Sequence, residues 1–589
     1  MERTWDLDAL YKDFESETYQ NDIEQLKTLI NDYTTYVNSN TENYDNFTLK
    51  LKEIIKMDEK LSLVARKLFA FASLTRSTDT FNKQANKYIA VLQNILSDAT
   101  LPSTIVNKWI GNYPKLDEVI HSEEFSEFTF YLKSIKEDTN YLLSDDVEVL
   151  ISKLSQSSST AWSQLQSSLT SKLDVEITLN GVKKHMTLPE VRDLRQDPSQ
   201  EVRKTAYEAE LQSYEKINDA VAASLSSIKG EVLTISKMRG YSSPLSQTLR
   251  KSRMQKETLD AMLEAMNEYL PYFHQYMRRK GTLLNHENGI PFYDLNAPIG
   301  KISKKFSIEE AEEFIINNFK TFSDKLANLA KTAFEQNWID VFPRSGKVGG
   351  AFCANIPPIK QSRILSNFTG NMRGVITLAH ELGHAYHGDC IFDENILNTS
   401  YPMPLAETAS TFCETIVMNA ALETASEDDQ LTLIEGVIQD YNAIIVDILS
   451  RYIFETEVFE QRKERPLSSQ DFKDLMTDAQ KKAYGDGVNH DYLHPYAWLN
   501  KPHYYSAGLN FYNFPYAFGL LFAKGLYAQY LKDKENFIPK YDKLLSATGK
   551  MTVEEVAKMA DIDVTSVDFW RDSLEIIKKD IDTFLELTK

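Results

Sequence analysis

Apolar residues recur at every third or fourth position through most of this chain, and this spacing restricts it to a mainly helical fold. Residues 308–319 and 431–459 show the pattern. Side chains at this spacing share one face of an α-helix, and that face can be buried in a core. Ser307 and Thr552 have glutamate three residues later, which is the spacing of a helix-capping box. We therefore expect a large multi-helix protein.

Two segments depart from the helical pattern. Residues 176–188 predict two short strands on either side of Asn180 and Gly181, a pair that is typical of a tight hairpin turn. Residues 344–368 are rich in glycine at their start and end in a strand-like run. We expect a small antiparallel β element to accompany the helices. Because 589 residues are too many for one core, we expect a domain boundary near the hairpin, with domains at 1–185 and 186–589.

Charge and cysteine content narrow the classes of partner. The formal net charge is −20, which repels phosphate backbones and anionic lipid headgroups. Nucleic acid and membrane surfaces are therefore not expected partners. Three cysteines give no disulfide framework, and residues 1–17 lack the pattern of a secretory signal. The longest apolar run, residues 514–523, is too short to span a bilayer. We expect a cytoplasmic protein.

The strongest chemical signal is the segment from 375 to 387, which reads VITLAHELGHAYH. His380 and His384 are four residues apart, so on a helix they project from one face and can hold one zinc ion. Glu381 follows the first histidine directly. Its carboxylate is expected near the metal without binding it, and there it can act as general base towards water.

A catalytic zinc takes three protein ligands, and the third is not fixed by the motif. The metzincin pattern requires glycine at position 387 and histidine at 390, where this chain has His387 and Cys390. We predict Glu407 as the third ligand, on a second helix that packs beside the first, with Asp389 and Glu394 as rivals.

Two further residues are expected around the metal. Glu414 lies two helical turns after Glu407, on the same face. It is predicted to accept the second ring N–H of a ligand histidine. His387 is expected to form a hydrogen bond near the site rather than to bind the metal.

These motifs resemble the M3 family of zinc oligopeptidases, and most of all its oligoendopeptidase F branch. The resemblance rests on HELGH at 380–384 followed by ETASTFCE at 407–414. It extends to GKVGGAF at 346–352, ILSNF at 364–368 and KPHYY at 501–505. One departure is Ile376, where the mammalian branch of the family has an acidic residue. Glu414 is our choice for the carboxylate that this position does not supply.

The resemblance implies a helical ellipsoid with a deep internal substrate channel, a cytoplasmic location, and a catalytic region that corresponds to residues 186–589. It implies one Zn²⁺ per chain and an endopeptidase that cleaves short peptides, because only a flexible chain can enter such a channel. The C-terminal segment is expected to stabilise the tetrahedral oxyanion. The candidate donors are His503, Tyr505 and Tyr512, with Tyr504 and Tyr516 as alternatives.

We also expect the segment 364–368 to offer an edge strand to the substrate. Pairing through the backbone binds peptides without demanding particular side chains. Ile364, Ser366 and Phe368 are the predicted substrate-binding residues.

Two other functions remain open at this point. A metallo-exopeptidase of the carboxypeptidase kind needs a charged anchor for a peptide end, and Lys347, Arg363 and Arg373 are near the motif in sequence. A non-catalytic zinc or peptide-binding protein could use the same scaffold. It would not require a general base at position 381.

Overall fold

The computed structural model describes residues 3–300 and 305–589. Its helices, in chain order, are α1 (Glu17–Asn40), α2 (Phe47–Thr78), α3 (Lys83–Ser97), α4 (Thr100–Gly111), α5 (Leu116–Ile120), α6 (Thr129–Thr139), α7 (Asp145–Ser157), α8 (Ser159–Ser171), α9 (Leu188–Asp193), α10 (Gln200–Tyr214), α11 (Asn218–Met238), α12 (Pro244–Lys251), α13 (Lys256–Leu283), α14 (Ile308–Phe322), α15 (Asp324–Glu335), α16 (Met372–Ile391), α17 (Met403–Ala406), α18 (Thr408–Thr424), α19 (Glu427–Asn442), α20 (Ile448–Glu464), α21 (Ser469–Tyr484), α22 (Phe514–Lys532), α23 (Lys534–Ala547), α24 (Val553–Lys558) and α25 (Val567–Leu587). The expected mainly helical fold is confirmed.

Five short strands form two small sheets in the described residues. The strands are β1 (Asp174–Leu179), β2 (Val182–Thr187), β3 (Ile339–Asp340), β4 (Phe352–Ile356) and β5 (Gln361–Leu365). β1 and β2 form the predicted antiparallel hairpin, and both turn residues, Asn180 and Gly181, have positive φ. Such a turn matches the natural twist of a hairpin. The second sheet has the order β3-β5-β4, with β5 parallel to β3 and antiparallel to β4.

Contacts divide the chain into two compact units. The first unit comprises Met1–Leu142, Lys304–Ala421 and Gln529–Asp561, and the second comprises Leu143–Ser303, Leu422–Ala528 and Ile562–Lys589. Each unit is therefore assembled from separated stretches of sequence. The predicted boundary at residue 185, the ellipsoidal shape and the channel stay predictions.

The core of the first unit joins its N-terminal helices to its sheet. Phe14, Tyr19 and Phe71 form edge-to-face contacts between α2 and the residues at the start of α1, which aromatic rings favour. Ile356 of β4 and Leu365 of β5 are buried in the same apolar cluster. Both strands also contact α16. The sheet therefore lies between the N-terminal helices and the helix that carries the histidine motif.

The core of the second unit is built on long helices, with α13 packed against α25 and α20 against α21. Trp498 and Trp570 are fully buried. This core also contains charge, since the Lys229 ammonium lies 2.7 Å from a carboxylate oxygen of Glu455 and both side chains are almost inaccessible. Buried charges persist in proteins when they are paired in this way.

One stretch, Lys83–Gly111, is apolar enough by length and composition to cross a membrane, with a mean hydropathy of 1.2. The structure divides this stretch into α3 and α4, which have 15 and 12 residues. A membrane-spanning helix needs about 20 residues. Leu92 and Ile110 from the two helices are buried in apolar clusters of the first unit.

Candidate functional site

The histidine motif lies on α16, as the sequence predicts. The side chain of Asn371 caps the helix by accepting a hydrogen bond from the backbone N–H of Gly374 (2.7 Å). Buried apolar residues before and within the motif, such as Leu378 and Leu382, fix the rotation of the helix. His380 and His384 consequently point in one direction, with ring centroids 4.9 Å apart.

Gly383 allows the next helix to approach α16 closely. A Cβ atom at this position would lie 2.6 Å from both the carbonyl oxygen of Ala409 and the Cα of Ser410. Only glycine permits such close backbone contact. The glycine within the HELGH motif therefore brings the start of α18 against the histidines.

Glu407 lies at the break between α17 and α18 rather than inside a continuous helix. Its carbonyl accepts a hydrogen bond from the N–H of Thr411 (3.1 Å), so it precedes the first turn of α18. The hydroxyl of Ser410 donates to its carboxylate (2.7 Å). This differs from the sequence expectation of one unbroken helix, and the break directs the Glu407 side chain towards α16.

The three side chains converge on one point. Oε2 of Glu407 lies 3.2 Å from Nε2 of His380 and 3.3 Å from Nε2 of His384. All three atoms are within 4.8 Å of one another. Two donors that each lie 2.0 to 2.1 Å from a tetrahedral zinc ion are separated by about 3.3 Å. The donor types and their spacing therefore fit a zinc ion.

The electrostatics of the cluster reflect this convergence. Burial opposes ionisation of Glu407, but hydrogen bonds from His380 and His384 outweigh it and hold the pKa of this carboxyl well below its usual range. Burial also opposes protonation of His380, yet its contacts with Glu407 and Glu414 raise the pKa of this imidazole to about 10. A carboxylate and an imidazole that lie close together stabilise each other's charged forms, which lowers the pKa of the carboxyl and raises the pKa of the imidazole.

Glu381 lies beside the cluster without joining it. Its side chain is buried, and Oε2 has no hydrogen-bond partner among the described residues. Burial raises the pKa of this carboxyl, and the charges of His380 and His384 oppose the rise. A buried carboxylate with a free oxygen and a raised pKa has the properties of a general base.

Glu414 contacts a histidine of the cluster, and His387 is held by other residues. Oε2 of Glu414 lies 3.2 Å from Nδ1 of His380, which is the contact expected for a residue that orients a ligand. His387 is fully buried, stacks on Tyr401 and has Nε2 2.9 Å from the hydroxyl of Thr548. It is not part of the cluster, and its hydrogen bond is to Thr548.

The rival carboxylates are engaged by lysines. Asp389 lies 3.6 Å from the ammonium of Lys325, and Glu394 accepts a hydrogen bond from Lys550 (2.6 Å). Neither belongs to the cluster of His380, His384 and Glu407.

The prediction that residues 364–368 form an edge strand is wrong. β5 is the central strand of its sheet, and its pairing continues beyond its end, because the N–H groups of Ile364, Ser366 and Phe368 donate to carbonyls of residues 338–341 at 2.8 to 2.9 Å. The three residues are also almost inaccessible. In the described part of the chain, β4 pairs with β5 alone and keeps a free edge. The side-chain amide of Asn355 on β4 donates to the carbonyl of His384 (3.1 Å), which links this strand to α16.

A second group of polar residues lies in the second unit. His503, in a turn that spans Pro502–Tyr505, stacks on Tyr512 with ring centroids 5.4 Å apart. The hydroxyls of Tyr512 and Tyr516 lie 2.7 Å from each other. Nε2 of His503 lies 3.0 Å from the side-chain nitrogen of Asn513. Of the predicted donors, His503 and Tyr512 are therefore together, and the alternative Tyr516 is with them.

The prediction for Tyr505 is corrected by its surroundings. Its ring is buried, and its hydroxyl donates to the carbonyl of Trp498 (3.4 Å) inside the second unit. Tyr504 is also buried, with its ring against Phe454. Both tyrosines pack into the core, because consecutive residues of a short turn cannot all face the same way as His503.

The helix with two histidines one turn apart, the glutamate between them and the carboxylate opposite define a metallopeptidase of the HExxH class. The chain belongs to peptidase family M3. Residues 194–576 match the sequence model of peptidase family M3, and residues 112–174 match the model of Oligopeptidase F.

The chain is also similar to individual proteins and solved structures. Oligopeptidase PepF of Bacillus subtilis (strain 168) is 23% identical, with 100% of this chain and 87% of that protein aligned. The fold is similar to that of a putative peptidase from Chlamydophila abortus, with a TM-score of 0.86, 20% identity and coverage of 100% and 98% of the two chains. It is also similar to oligoendopeptidase-F from Enterococcus faecium, with a TM-score of 0.72, 20% identity and coverage of 96% and 99%.

Proposed function

We propose that this protein is a zinc-dependent endopeptidase that hydrolyses short peptides. The observation that carries the proposal is the cluster of His380, His384 and Glu407, with the unpartnered carboxylate oxygen of Glu381 beside it. Relatives over the full chain are named oligopeptidase or oligoendopeptidase, which supports peptides as substrates. A cytoplasmic location accords with three free cysteines.

The donor set favours zinc over harder cations. Two imidazole nitrogens and one carboxylate oxygen are typical ligands of catalytic zinc, and three protein ligands leave a fourth position open. We assign His380, His384 and Glu407 as the ligands of one ion per chain. Glu414 orients the ring of His380 through the contact at Nδ1.

When bound, a zinc ion supplies Lewis-acid chemistry that polarises the scissile carbonyl and acidifies water. The chain itself moves the protons. The Glu381 carboxylate accepts a proton from the attacking water, since its Oε2 has no hydrogen-bond partner in the part of the chain that the structure describes. It then delivers this proton to the leaving amine. A pKa raised by burial suits both halves of this exchange.

The negative charge that develops on the substrate carbonyl needs hydrogen-bond donors. We assign this role to His503 and Tyr512, with Tyr516 coupled to Tyr512 through their hydroxyls. Tyr505 is excluded from the assignment because its hydroxyl is buried and engaged.

We also propose β4 as the strand that pairs with the substrate. It has a free edge among the described residues, and it lies against the helix that carries the histidines. Pairing through backbone groups accepts many sequences, so a broad specificity follows. This assignment replaces the earlier one for residues 364–368.

The exopeptidase alternative loses two of its three candidate anchors. The guanidinium of Arg363 is buried and donates to the carbonyl of Asp6 (2.6 Å). The ammonium of Lys347 is buried 2.7 Å from a carboxylate oxygen of Asp340. Arg373 is exposed and remains a candidate. The non-catalytic alternative gives no reason for the buried Oε2 of Glu381, which has no hydrogen-bond partner among the described residues.

The test is the digestion of a pool of short peptides, each made with free ends and with both ends blocked. The purified protein is assayed as isolated, after chelation, and after readdition of Zn²⁺, and products are identified by mass spectrometry. We expect internal cleavage of both forms, loss of activity with chelator and recovery with zinc. Cleavage confined to peptides with free ends would replace the endopeptidase proposal with the exopeptidase one.

A further inference from the structure

We propose that Asn513 is a positioning residue that holds the imidazole of His503 neutral, with its proton on Nδ1. The ring would then present an N–H donor rather than a basic nitrogen. The inference rests on the proposed function only for the role of this N–H group as a donor to the substrate oxyanion. The position of the proton can be measured without any substrate.

The hydrogen-bonding partners of the Asn513 amide determine its orientation. Its Oδ1 lies 3.3 Å from Nη1 of Arg451, and its Nδ2 lies 3.0 Å from Nε2 of His503. A guanidinium can only donate, so the amide oxygen must face Arg451. The amide NH₂ group therefore faces His503, and Nε2 must accept. A neutral imidazole that accepts at Nε2 carries its proton on Nδ1.

Arg451 is itself held in place. Its Nη2 donates to Oδ2 of Asp447, and Oδ1 of Asp447 accepts a hydrogen bond from the hydroxyl of Tyr484 (3.1 Å). Asp447 ends a π-helical turn, Ala443–Asp447, between α19 and α20. Such turns change which way the following side chains point and are frequent at functional sites. The hydrogen bonds that orient Asn513 therefore start from Asp447 in this π-helical turn.

The turn that carries Asn513 is fixed by a separate buried group. Phe511 has a φ of 51°, which is unusual for a residue other than glycine, and its N–H donates to Oε2 of Glu455 (2.9 Å). Lys229 links Glu455 at 2.7 Å to the side chain of Asn510 at 2.9 Å. The backbone before Asn513 is therefore fixed by buried, paired charges, which limits the movement of the amide away from His503.

The charges around His503 favour the same neutral state. Burial lowers the pKa of this imidazole to about 3, assisted by the cations of Arg451, Lys501 and Lys229 and opposed by Asp447. The hydrogen-bond geometry fixes the site of the proton, and these surroundings keep a second proton away. His503 then serves as a fixed donor to developing negative charge, and not as a base.

The experiment uses the full-length protein labelled with ¹⁵N at histidine. Two-dimensional NMR of the ring nitrogens distinguishes the two neutral tautomers and the imidazolium, and the His503 signals are assigned by their absence in His503→Gln. We expect the neutral Nδ1–H pattern, unchanged between about pH 5 and pH 9, where an ordinary histidine titrates. An Nε2–H pattern, or titration in this range, would overturn the inference. The tautomer and its titration are read from the wild-type spectrum, and the variant His503→Gln is needed only to assign the signals.

The variant Asn513→Asp tests whether Asn513 is what keeps the proton of His503 on Nδ1. Aspartate has nearly the same shape but cannot donate to Nε2, and its charge favours a proton there. We expect His503 to titrate in this variant, with its pKa raised by at least two units, and kcat to fall with KM nearly unchanged. Asn267→Asp is the matched control, because Asn267 is exposed on α13 and its side-chain amide donates to the carbonyl of Leu263 in the same helix. A wild-type spectrum in Asn513→Asp would contradict the role of Asn513.

The same variants separate this inference from the proposed function. If His503 shows the Nδ1–H pattern and loses it in Asn513→Asp while His503→Gln keeps full activity, Asn513 still fixes the ring, and the assigned role of His503 in catalysis is wrong. If the Nδ1–H pattern is absent while His503→Gln is inactive, the role stands and the inference about Asn513 fails.

Discussion

The polar side chains of α16, which we call the metal helix because it carries His380 and His384, and those of the segment 502–516 are oriented by different interactions. In α16 the repeat of the helix itself points His380 and His384 the same way, and close packing at Gly383 brings a third group opposite. In the segment 502–516 the backbone passes through a short turn and a positive φ at Phe511 before α22 begins. Regular structure sets direction in the first region, and hydrogen bonds from distant residues set it in the second.

This difference determines how each region responds to substitution. A change of one functional group on α16 leaves the backbone and its neighbours in place, so the effect is confined to the chemistry. A change in the segment 502–516 also alters the contacts that define its shape. The sharpest loss of activity should therefore come from α16 with the least structural change.

Glu381→Gln is expected to have the largest effect. The amide keeps the size of the side chain but cannot accept and return a proton, so we expect kcat to fall by on the order of 10³. Metal content, measured by mass spectrometry of the dialysed protein, should stay at one zinc per chain. Glu394→Gln is the control, since Glu394 pairs with Lys550 and lies outside the cluster. Substantial turnover by Glu381→Gln would remove the general base from the proposal.

The sequence could predict α16 and its histidine pair because they rest on a local rule, whereas Glu407 was predicted from the expected packing of a second helix. Histidines four apart share a helical face whatever surrounds them. The hairpin β1–β2 was predictable for the same reason, since Asn180 and Gly181 specify the turn. The break at Glu407 was not, because it depends on packing between α16 and α18.

The remaining features depend on contacts between residues far apart in sequence. The central place of β5 follows from its parallel pairing with β3, a strand of two residues that has no pattern of its own. The orientation of Asn513 requires Arg451, which is 62 positions away in the chain. No spacing rule connects such residues, and the choice between Tyr505 and Tyr516 failed for this reason.

Tyr512→Phe is expected to have the second-largest effect. It tests whether Tyr512 acts on the substrate while Tyr505 only packs in the core. On the proposed assignment the variant lacks one hydrogen-bond donor to the developing oxyanion, so we expect kcat to fall about 10²-fold with stability unchanged. Tyr505→Phe is the matched change. It removes a buried hydrogen bond to Trp498, so we expect a near-normal kcat and a free energy of unfolding lower by about 1 kcal/mol.

Steady-state kinetics and urea denaturation of the two variants decide between them. Equal losses of kcat would mean that both tyrosines act on the substrate. A loss confined to Tyr505→Phe would reverse the assignment made from burial.

Glu414→Ala is expected to have the smallest of these effects. It shows how far the orientation of His380 on α16 depends on a side chain of α18. Glu414 contacts Nδ1 of His380 but does not belong to the three-residue cluster. Loss of a residue that orients a ligand weakens metal affinity by about 10- to 100-fold, less than loss of a ligand does. We expect the zinc dissociation constant, measured by competition with a chelating dye, to rise in this range, and kcat at saturating zinc to stay within about threefold of the wild-type value.

Glu423→Ala serves as the control for this measurement, because Glu423 is an exposed glutamate on the same helix, α18. It makes the same change in charge and in helix propensity without touching His380. If Glu414→Ala bound zinc as tightly as Glu423→Ala, the packing of α16 would suffice to orient His380. If zinc were lost altogether, Glu414 would have to be counted with the ligands, and the metal helix would depend on distant side chains as strongly as the segment 502–516 does.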